Sequence, residues 1–86
     1  MIMNKTQQQI IFVLEKLTPR FKERSIPIGW ILSDIKKSQF GIEQELDILE
    51  KQGFVEFQKV NNSIIGIYLK REGSEAYLAY AQNQNK

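Results

Sequence analysis

Hydrophobic positions along the chain follow two periods, one typical of helices and one typical of strands. Apolar residues recur every three or four positions in three segments, namely 10–17, 31–35 and 42–49. Two runs with the looser alternation of strands follow at 54–60 and 64–69. This order predicts an α+β domain, mainly α, in which a core of three helices precedes a hairpin and a last helix.

The ends of the first helix are indicated by Thr6 and Pro19. Thr6 and Gln9 have the spacing of a capping box, which predicts that the helix begins at Thr6. Thr18 precedes a proline and is pushed out of helical geometry, so we expect the helix to stop there. The segment Ser25–Pro27 is predicted to be a short edge strand, because proline cannot donate a hydrogen bond inside a sheet.

Helices two and three are predicted at about 29–37 and 39–52, with a very short turn between them. Ser38 is a candidate N-cap for helix three, because its hydroxyl can accept from a free backbone N–H. Gly53 suits the left-handed position that commonly follows a helix. Two helices joined by a turn of three or four residues are typical of a helix-turn-helix.

The hairpin is predicted from its turn residues. Asn61 and Asn62 separate the two strand-like runs, and asparagine tolerates left-handed backbone geometry. One face of the second run is expected to contain Ile65, Ile67 and Leu69. The last helix is predicted over about Glu72–Ala81, with Ser74 as its candidate cap.

The amino-acid composition narrows the function. The 86 residues suit one domain, 1–86, whose ordered core we expect at about 6–81. Neither cysteine nor histidine occurs, which excludes disulfides, thiolate chemistry, and the commonest general base and metal ligand. We therefore expect no catalytic site, no metal and no cofactor. No apolar run approaches the ~20 residues that span a bilayer, and no signal-like leader is present, so we expect a cytoplasmic protein.

Charge is distributed unevenly along the chain. The formal net charge of +2 is too small to indicate a nucleic-acid partner by itself. Residues 16–37 carry six basic and two acidic side chains, a net +4, whereas residues 39–52 carry four acidic and one basic, a net −3. The acidic part of the chain therefore coincides with the third predicted helix.

The order of elements and several residues resemble the winged helix-turn-helix family, most closely its small regulators of the MarR and PadR kind. That family often reads L-A-x-x-L-G-L-S-x-x-T-V-x-x-x-L-x-x-L-E-x-x-G-L-V. The residues in step with it are Ile31, Leu32, Ile35, Ser38, Ile42, Leu46, Leu49, Glu50, Gly53, Phe54 and Val55. A second motif of the family, Y-L-T-x-x-G, is matched by Tyr68, Leu69 and Gly73. Lys36, Lys37 and Gly41 depart from the first pattern, where a glycine, an apolar residue and a threonine are usual. Lys70 departs from the second, where a threonine usually caps the last helix.

The resemblance implies that helix three enters the major groove of DNA and that the hairpin touches the backbone or the minor groove. The residues expected to contact DNA are Lys36, Lys37, Ser38, Gln39, Phe40, Gln44, Lys59, Asn61 and Asn62. The lysines and Ser38 at the turn would meet phosphates. Gln39 and Gln44 would read adenine, and Phe40 a thymine methyl group. The basic region around Lys22 and Arg24 would add affinity.

Family members of this kind use terminal helices to dimerise, which implies a homodimer. The residues expected at the dimer interface are Tyr77, Leu78, Tyr80 and Phe12. The alternative is that these rings pack on the first helix within one chain. Trp30 either covers the edge of the core or anchors an interface.

The sequence therefore predicts a homodimeric DNA-binding transcriptional regulator, with one alternative left open. Glu43 and Asp47 lie on the outward face of helix three, where carboxylates repel phosphates, although a carboxylate can accept from cytosine. The same face fits a solvated acidic surface, and Lys36 and Lys37 also fit plain solvated surface. The alternative function is a protein-binding module or a subunit of a larger assembly that does not bind DNA.

Overall fold

The computed structural model describes residues 3–21, 24–37 and 39–84, and they form an α+β structure that is mainly helical. The described part contains four α-helices, a 3₁₀ turn and one antiparallel sheet of three strands. In chain order these are α1 Lys5–Leu17, the 3₁₀ turn Thr18–Arg20, β1 Ser25–Pro27, α2 Ile28–Ile35, α3 Gln39–Lys51, β2 Val55–Val60, β3 Ser63–Leu69 and α4 Arg71–Gln84. The predicted class and order of elements are confirmed.

The core lies where α1, α2 and α3 pack against one face of the sheet. Each helix contributes the apolar stripe that its periodicity predicts. The side chains with no exposed surface include Ile10 and Leu14 from α1, Ile31 from α2 and Leu46 from α3. Ile67 of the central strand is equally buried and belongs to the same core cluster. Burying a large aliphatic side chain contributes roughly 1.5–3 kcal/mol, so these contacts fix the arrangement of the helices.

The sheet has the strand order β1–β3–β2, with both pairings antiparallel. The short strand that ends in Pro27 lies at the edge, as predicted. At the other end of the sheet, Val60 pairs with Ser63 across a turn formed by Asn61 and Asn62. Their φ angles are 51° and 67°, and two successive left-handed residues are typical of a type I′ hairpin turn.

The prediction that Ile65 shares the inward face of β3 is wrong. The register shifts between Gln58 and Lys59, so that Gln58 pairs with Gly66 and Lys59 pairs with Ile64. Ile65 is the extra residue of this β-bulge and is exposed, whereas Ile64 packs against the core. A bulge inserts one residue and reverses the alternation of side chains beyond it, which the hydrophobic pattern alone does not reveal.

The capping box of α1 lies two residues earlier than predicted. Asn4 is the N-cap, and its Oδ1 accepts from the backbone N–H of Gln7 at 2.8 Å. The Gln7 Oε1 accepts in return from the Asn4 N–H at 3.2 Å. Thr6 therefore lies inside the helix. Asparagine competes well with threonine as an N-cap, which explains the shift.

Helix α2 ends at Ile35, earlier than the predicted Lys37, because Lys36 takes the left-handed conformation with φ 58° and ψ 42°. The predicted cap of α3 at Gly53 is confirmed, with φ 79°. The Phe54 N–H donates to the Leu49 carbonyl at 3.0 Å and the Gly53 N–H to Glu50 at 2.9 Å, which is the Schellman pattern. The predicted N-cap of α3, at position 38, lies outside the described residues.

Helix α4 is longer than predicted and does not begin at Ser74. The Lys70 carbonyl accepts from the N–H groups of Gly73 and Ser74, so the helix begins one residue after Lys70. The Ser74 hydroxyl instead donates to the Glu15 carboxylate. This bond connects α4 to α1 and removes Ser74 from the capping role.

Candidate nucleic-acid interface

A groove runs between the outward face of α3 and the hairpin of β2 and β3. Its volume is about 740 Å³. Phe57 and Ile64 of the hairpin form apolar parts of the lining, and Gln44 of α3 is exposed on the facing side. Ile42 and Leu46, on the opposite face of α3, are fully buried and hold this helix against the core. The core thus presents one polar helix face beside the hairpin.

The groove is acidic on its helix side. Among the described residues, its lining contains the carboxylates of Glu43, Glu45 and Asp47 and a single ammonium group, that of Lys59. The Asp47 carboxylate is 3.0 Å from the Lys51 ammonium one turn later, and both side chains are more than half exposed. This pair offsets part of the charge, although exposed pairs at this spacing contribute only ~0.3–0.5 kcal/mol to stability.

The N-terminus of α1 adjoins this region through two side-chain contacts. The Asn4 Nδ2 donates to the Glu45 carboxylate at 3.2 Å. The Lys37 ammonium donates to the Thr6 hydroxyl, also at 3.2 Å. Both contacts are exposed to solvent. They connect the start of α1 to the α2–α3 corner and to the groove.

The α2–α3 corner is basic and exposed. Lys36 occupies its left-handed position with an exposed side chain. The Lys37 backbone N–H donates to the Leu32 carbonyl at 3.3 Å, which closes the end of α2. Since a contact with an uncharged hydroxyl leaves the ammonium charge unneutralised, both lysines remain available to an anion.

The hairpin tip carries the remaining predicted contacts. Asn61 and Asn62 are exposed at the turn, and Asn62 also lines the groove. The Lys59 ammonium lies 5.7 Å from the centre of the Phe57 ring, a cation–π distance worth about 0.5–1 kcal/mol at an exposed site. The tip therefore presents two amides and one positioned cation.

The predicted DNA-contacting residues fall into two groups. The groove brings together Gln44, Lys59 and Asn62, whereas Lys36 and Lys37 lie at the corner, outside its lining. Three further predicted residues cannot be placed: Ser38 lies outside the described residues, and so do the side chains of Gln39 and Phe40.

The predicted basic region does not join either group. Arg24 lies with Lys70 and Arg71 around a cleft beside the C-terminal end of α1, while Lys37 contacts the helix at its N-terminal end. Thirteen residues of α1 separate these ends, a length of about 20 Å. Lys22 lies outside the described part.

Sequence reasoning missed the contribution of α1 to the interface. Asn4 and Glu45 are separated by 41 residues, and Thr6 and Lys37 by 31. No local pattern signals contacts at such separations. The apolar stripe of α1 is the one indirect signal, because it determines how the helix packs and therefore where its N-terminus lies.

The predicted dimer residues lie on adjoining faces of α1 and α4. The rings of Phe12 and Tyr77 are 6.4 Å apart between centres and tilted by 47°, so part of this aromatic surface packs within the chain. Phe12 nevertheless remains 50% exposed and Leu78 52% exposed, while Tyr80 is half-buried. These exposed apolar side chains can contact a second chain, and association through them stays a prediction.

No protein-family model matches the chain, and neither does any curated protein. Among the described residues, no helix combines the length and the apolar character needed to cross a membrane. Within the same residues, no group of three or more acidic side chains is arranged to bind a metal ion.

Proposed function

We propose that this chain is a winged helix-turn-helix transcriptional regulator that binds double-stranded DNA as a homodimer. The observation that carries the proposal is the exposed basic corner between α2 and α3. Lys36 and Lys37 lie there within three residues of the start of α3, a helix that lies beside a hairpin. Ammonium groups near a helix start suit a phosphate, because the free N–H groups and the helix dipole also favour an anion.

In the proposed complex, α3 lies in the major groove and the corner lysines meet the adjacent backbone. Gln44 is exposed on the groove side of α3, where its amide can pair in two-point fashion with adenine. Asn61, Asn62 and Lys59 at the hairpin tip contact the sugar-phosphate backbone. Phosphate contacts position the protein, and the glutamine supplies the sequence preference.

The exposed apolar surface of α1 and α4 supports the proposed homodimer. Phe12 and Leu78 together leave a large apolar area in water, and association of such a small domain adds stability. A twofold dimer would read two half-sites about one helical turn of DNA apart. The preferred operator would then be palindromic.

The test is fluorescence anisotropy with a labelled random duplex over a range of salt concentrations. Each phosphate contact contributes roughly −0.9 to the slope of log K against log salt. Lys36→Ala combined with Lys37→Ala should therefore weaken binding to all sequences and reduce the steepness of the slope by about 2. Unchanged binding in this double variant contradicts the proposed docking.

The matched control removes two cations elsewhere on the surface. Lys70→Ala with Arg71→Ala changes the net charge by the same amount, but these residues line the cleft at the far end of α1. The control should retain nearly the wild-type slope. If both double variants lose affinity equally, binding reports only net charge and the corner has no special role.

The second candidate function is recognition of a basic protein segment, and the acidic groove favours it. Three carboxylates and one ammonium group line the groove, which complements a cationic peptide better than a phosphate backbone. This candidate predicts no DNA binding at micromolar protein, even at low salt. Binding of random duplex under those conditions excludes it as the main function.

A further inference from the structure

A second concave surface shares no described lining residue with the acidic groove. The end of α1, the following 3₁₀ turn and the start of α2 enclose a cleft of about 630 Å³. Its lining includes Leu17, Arg20, Gly29, Trp30 and Asp34. An ideal Cβ on Gly29 would meet nothing within 4 Å, so the cleft is open at this position.

Trp30 is the only tryptophan of the chain, and 53% of its surface is exposed. The Phe21 ring meets it edge-on, with 5.5 Å between ring centres and an interplanar angle of 85°. This contact restrains the indole, while more than half of its surface stays exposed. A restrained, half-exposed tryptophan beside a cleft has the features of an interface anchor.

The Trp30 cleft is continuous with the aromatic surface of α1 and α4. The Lys16 ammonium, which lines the cleft, is 2.6 Å from the Asp34 carboxylate and 5.6 Å from the centre of the Phe12 ring. Phe12 in turn contacts Tyr77. A series of side-chain contacts therefore connects α4, α1 and α2 along this part of the surface.

We propose that a second copy of this chain occupies the Trp30 cleft, with the Trp30 side chain of each copy seated in the cleft of the other. The inference rests on the proposed homodimer and deepens it by naming the central anchor. A twofold contact must be complementary to itself, and this surface combines a protruding indole with the hollow above Gly29.

The charges of the cleft also suit a second copy. The Asp34 salt bridge uses Oδ2 and Lys16, which leaves Oδ1 for another donor. Arg20 is exposed on the same cleft. Across a twofold axis, Arg20 of one copy can pair with Asp34 of the other, and a guanidinium favours carboxylates in such a geometry. The pairing occurs twice in each dimer.

The proposed subunit contact and the basic corner lie on one helix, and their nearest residues are Asp34 and Lys36. Trp30 lies in the first turn of α2, and Lys36 follows its last residue. The eight residues of α2 span about 12 Å, so one helix connects the subunit contact to the DNA-facing corner. A standard interface takes ~800 Å² from each partner, and the chain exposes 5892 Å². A standard interface would therefore take only about a seventh of the exposed surface of the chain.

The experiment uses the single tryptophan as its own reporter. Emission and acrylamide quenching of the wild-type chain are followed from nanomolar to high micromolar concentration, with the mass measured in parallel by sedimentation. We expect the emission to move to shorter wavelength and quenching to fall as the dimer forms. The dissociation constant for Trp30→Ala, measured by sedimentation, should rise about thirty-fold or more, as for a hot-spot residue.

Two further variants separate a lost contact from a lost fold. Gly29→Lys adds bulk and a third cation to the cleft at a position with free space, so it should fold normally and dimerise less. Ile65→Thr changes an exposed apolar residue of the β-bulge, outside this surface, and should leave the dimer unchanged. Circular dichroism checks that each variant is folded.

The outcomes distinguish this inference from the proposed function. A dimer in which Trp30 stays accessible to acrylamide overturns the inference and leaves the homodimer itself intact. A chain that remains monomeric at every concentration overturns both the inference and the homodimer, while the lysine variants still decide DNA binding. A Gly29→Lys variant that is folded and dimerises like wild type also overturns the inference.

Discussion

Gly73 of α4 lies directly against the backbone of Phe54, the residue that follows the cap of α3. An ideal Cβ on Gly73 would lie 2.9 Å from the Phe54 Cβ and closer still to its carbonyl oxygen. The same carbonyl accepts from the Lys70 N–H at 3.0 Å, so it cannot easily turn away. The glycine thus allows α4 to pack at the end of α3, and it gives a physical reason for the glycine in the second motif.

Gly73→Ala should therefore destabilise the chain by about 1–3 kcal/mol, the usual cost of forcing extra volume into a packed contact. A loss of 1 kcal/mol lowers Tm by about 4–8 °C in a domain of this size. Thermal unfolding followed by circular dichroism measures the change. An alanine variant as stable as wild type would contradict the close contact between α4 and Phe54.

Gly66→Ala provides the matched control, because the two nearest atoms belong to side chains and the Ile26 carbonyl oxygen is farther away, at 3.4 Å. The Ser25 hydroxyl donates to Gln58 Oε1 at 2.7 Å across the central strand, and an ideal Cβ on Gly66 would lie 2.5 Å from that hydroxyl and 3.0 Å from Oε1. Both groups can rotate away. The expected cost is one hydrogen bond, about 0.5–1.5 kcal/mol, which is less than at Gly73.

Asn4→Ala should lower the free energy of unfolding by about 1 kcal/mol, because it removes the side chain that caps α1. Thr6→Ala should have little effect, since Thr6 lies inside the helix. This is the reverse of what the Thr6–Gln9 spacing predicts. Urea unfolding of both variants measures the difference, and Asn4→Ser, which keeps a capping oxygen, should recover most of the loss. A larger cost at Thr6 than at Asn4 would restore the capping box expected from the sequence.

Sequence reasoning predicted the parts of the fold that depend on local patterns. The spacing of Ile42, Leu46 and Leu49 predicts α3, and Gly53 predicts where that helix ends. The bulge at Ile65 was missed, because a strand with one extra residue has no distinct hydrophobic pattern. The end of α2 was missed for a different reason: Lys36 takes a left-handed conformation that a propensity argument assigns to glycine.

The candidate site was predicted less completely than the fold. The exposed positions of Gln44 and Lys59 follow from helix and strand periods, so the sequence was sufficient to place them. The contacts of Lys37 with Thr6 and of Glu45 with Asn4 depend on how α1 packs. Such packing is set by the whole core, and no motif around these residues encodes it.

Lys36→Gly should make the chain more stable and, if the proposed function is right, weaken its binding to DNA. A left-handed conformation costs a non-glycine residue about 1–2 kcal/mol, and the greater freedom of glycine in the unfolded chain offsets about 0.5–1 kcal/mol of the gain. The net increase in the free energy of unfolding should lie between about 0 and 1.5 kcal/mol. The same change removes one ammonium group, so the salt slope of DNA binding should become shallower by about 0.9.

Lys36→Arg is the control for this prediction, because it keeps both the charge and the backbone strain. It should match wild type in stability and in salt slope. If Lys36→Gly is stabilised as expected and binds DNA like wild type, the left-handed turn is confirmed and its phosphate contact is not. The two measurements therefore separate the conformational role of Lys36 from its electrostatic role.

Glu43→Gln combined with Asp47→Asn tests whether DNA enters the groove between α3 and the hairpin. Both carboxylates line that groove, so phosphates or base edges nearby experience their repulsion. Two charges 4 Å apart in water interact by about 1 kcal/mol, and removing the repulsion should tighten binding to random duplex roughly five-fold.

The control, Glu72→Gln with Glu75→Gln on α4, makes the same charge change away from the groove and should gain much less affinity. Equal gains in both variants would show that only net charge matters. A loss of affinity confined to the groove variant would identify these carboxylates as base-reading groups that accept from cytosine, which still requires DNA in the groove. No change in the groove variant would place DNA elsewhere and favour a basic protein partner for the acidic surface.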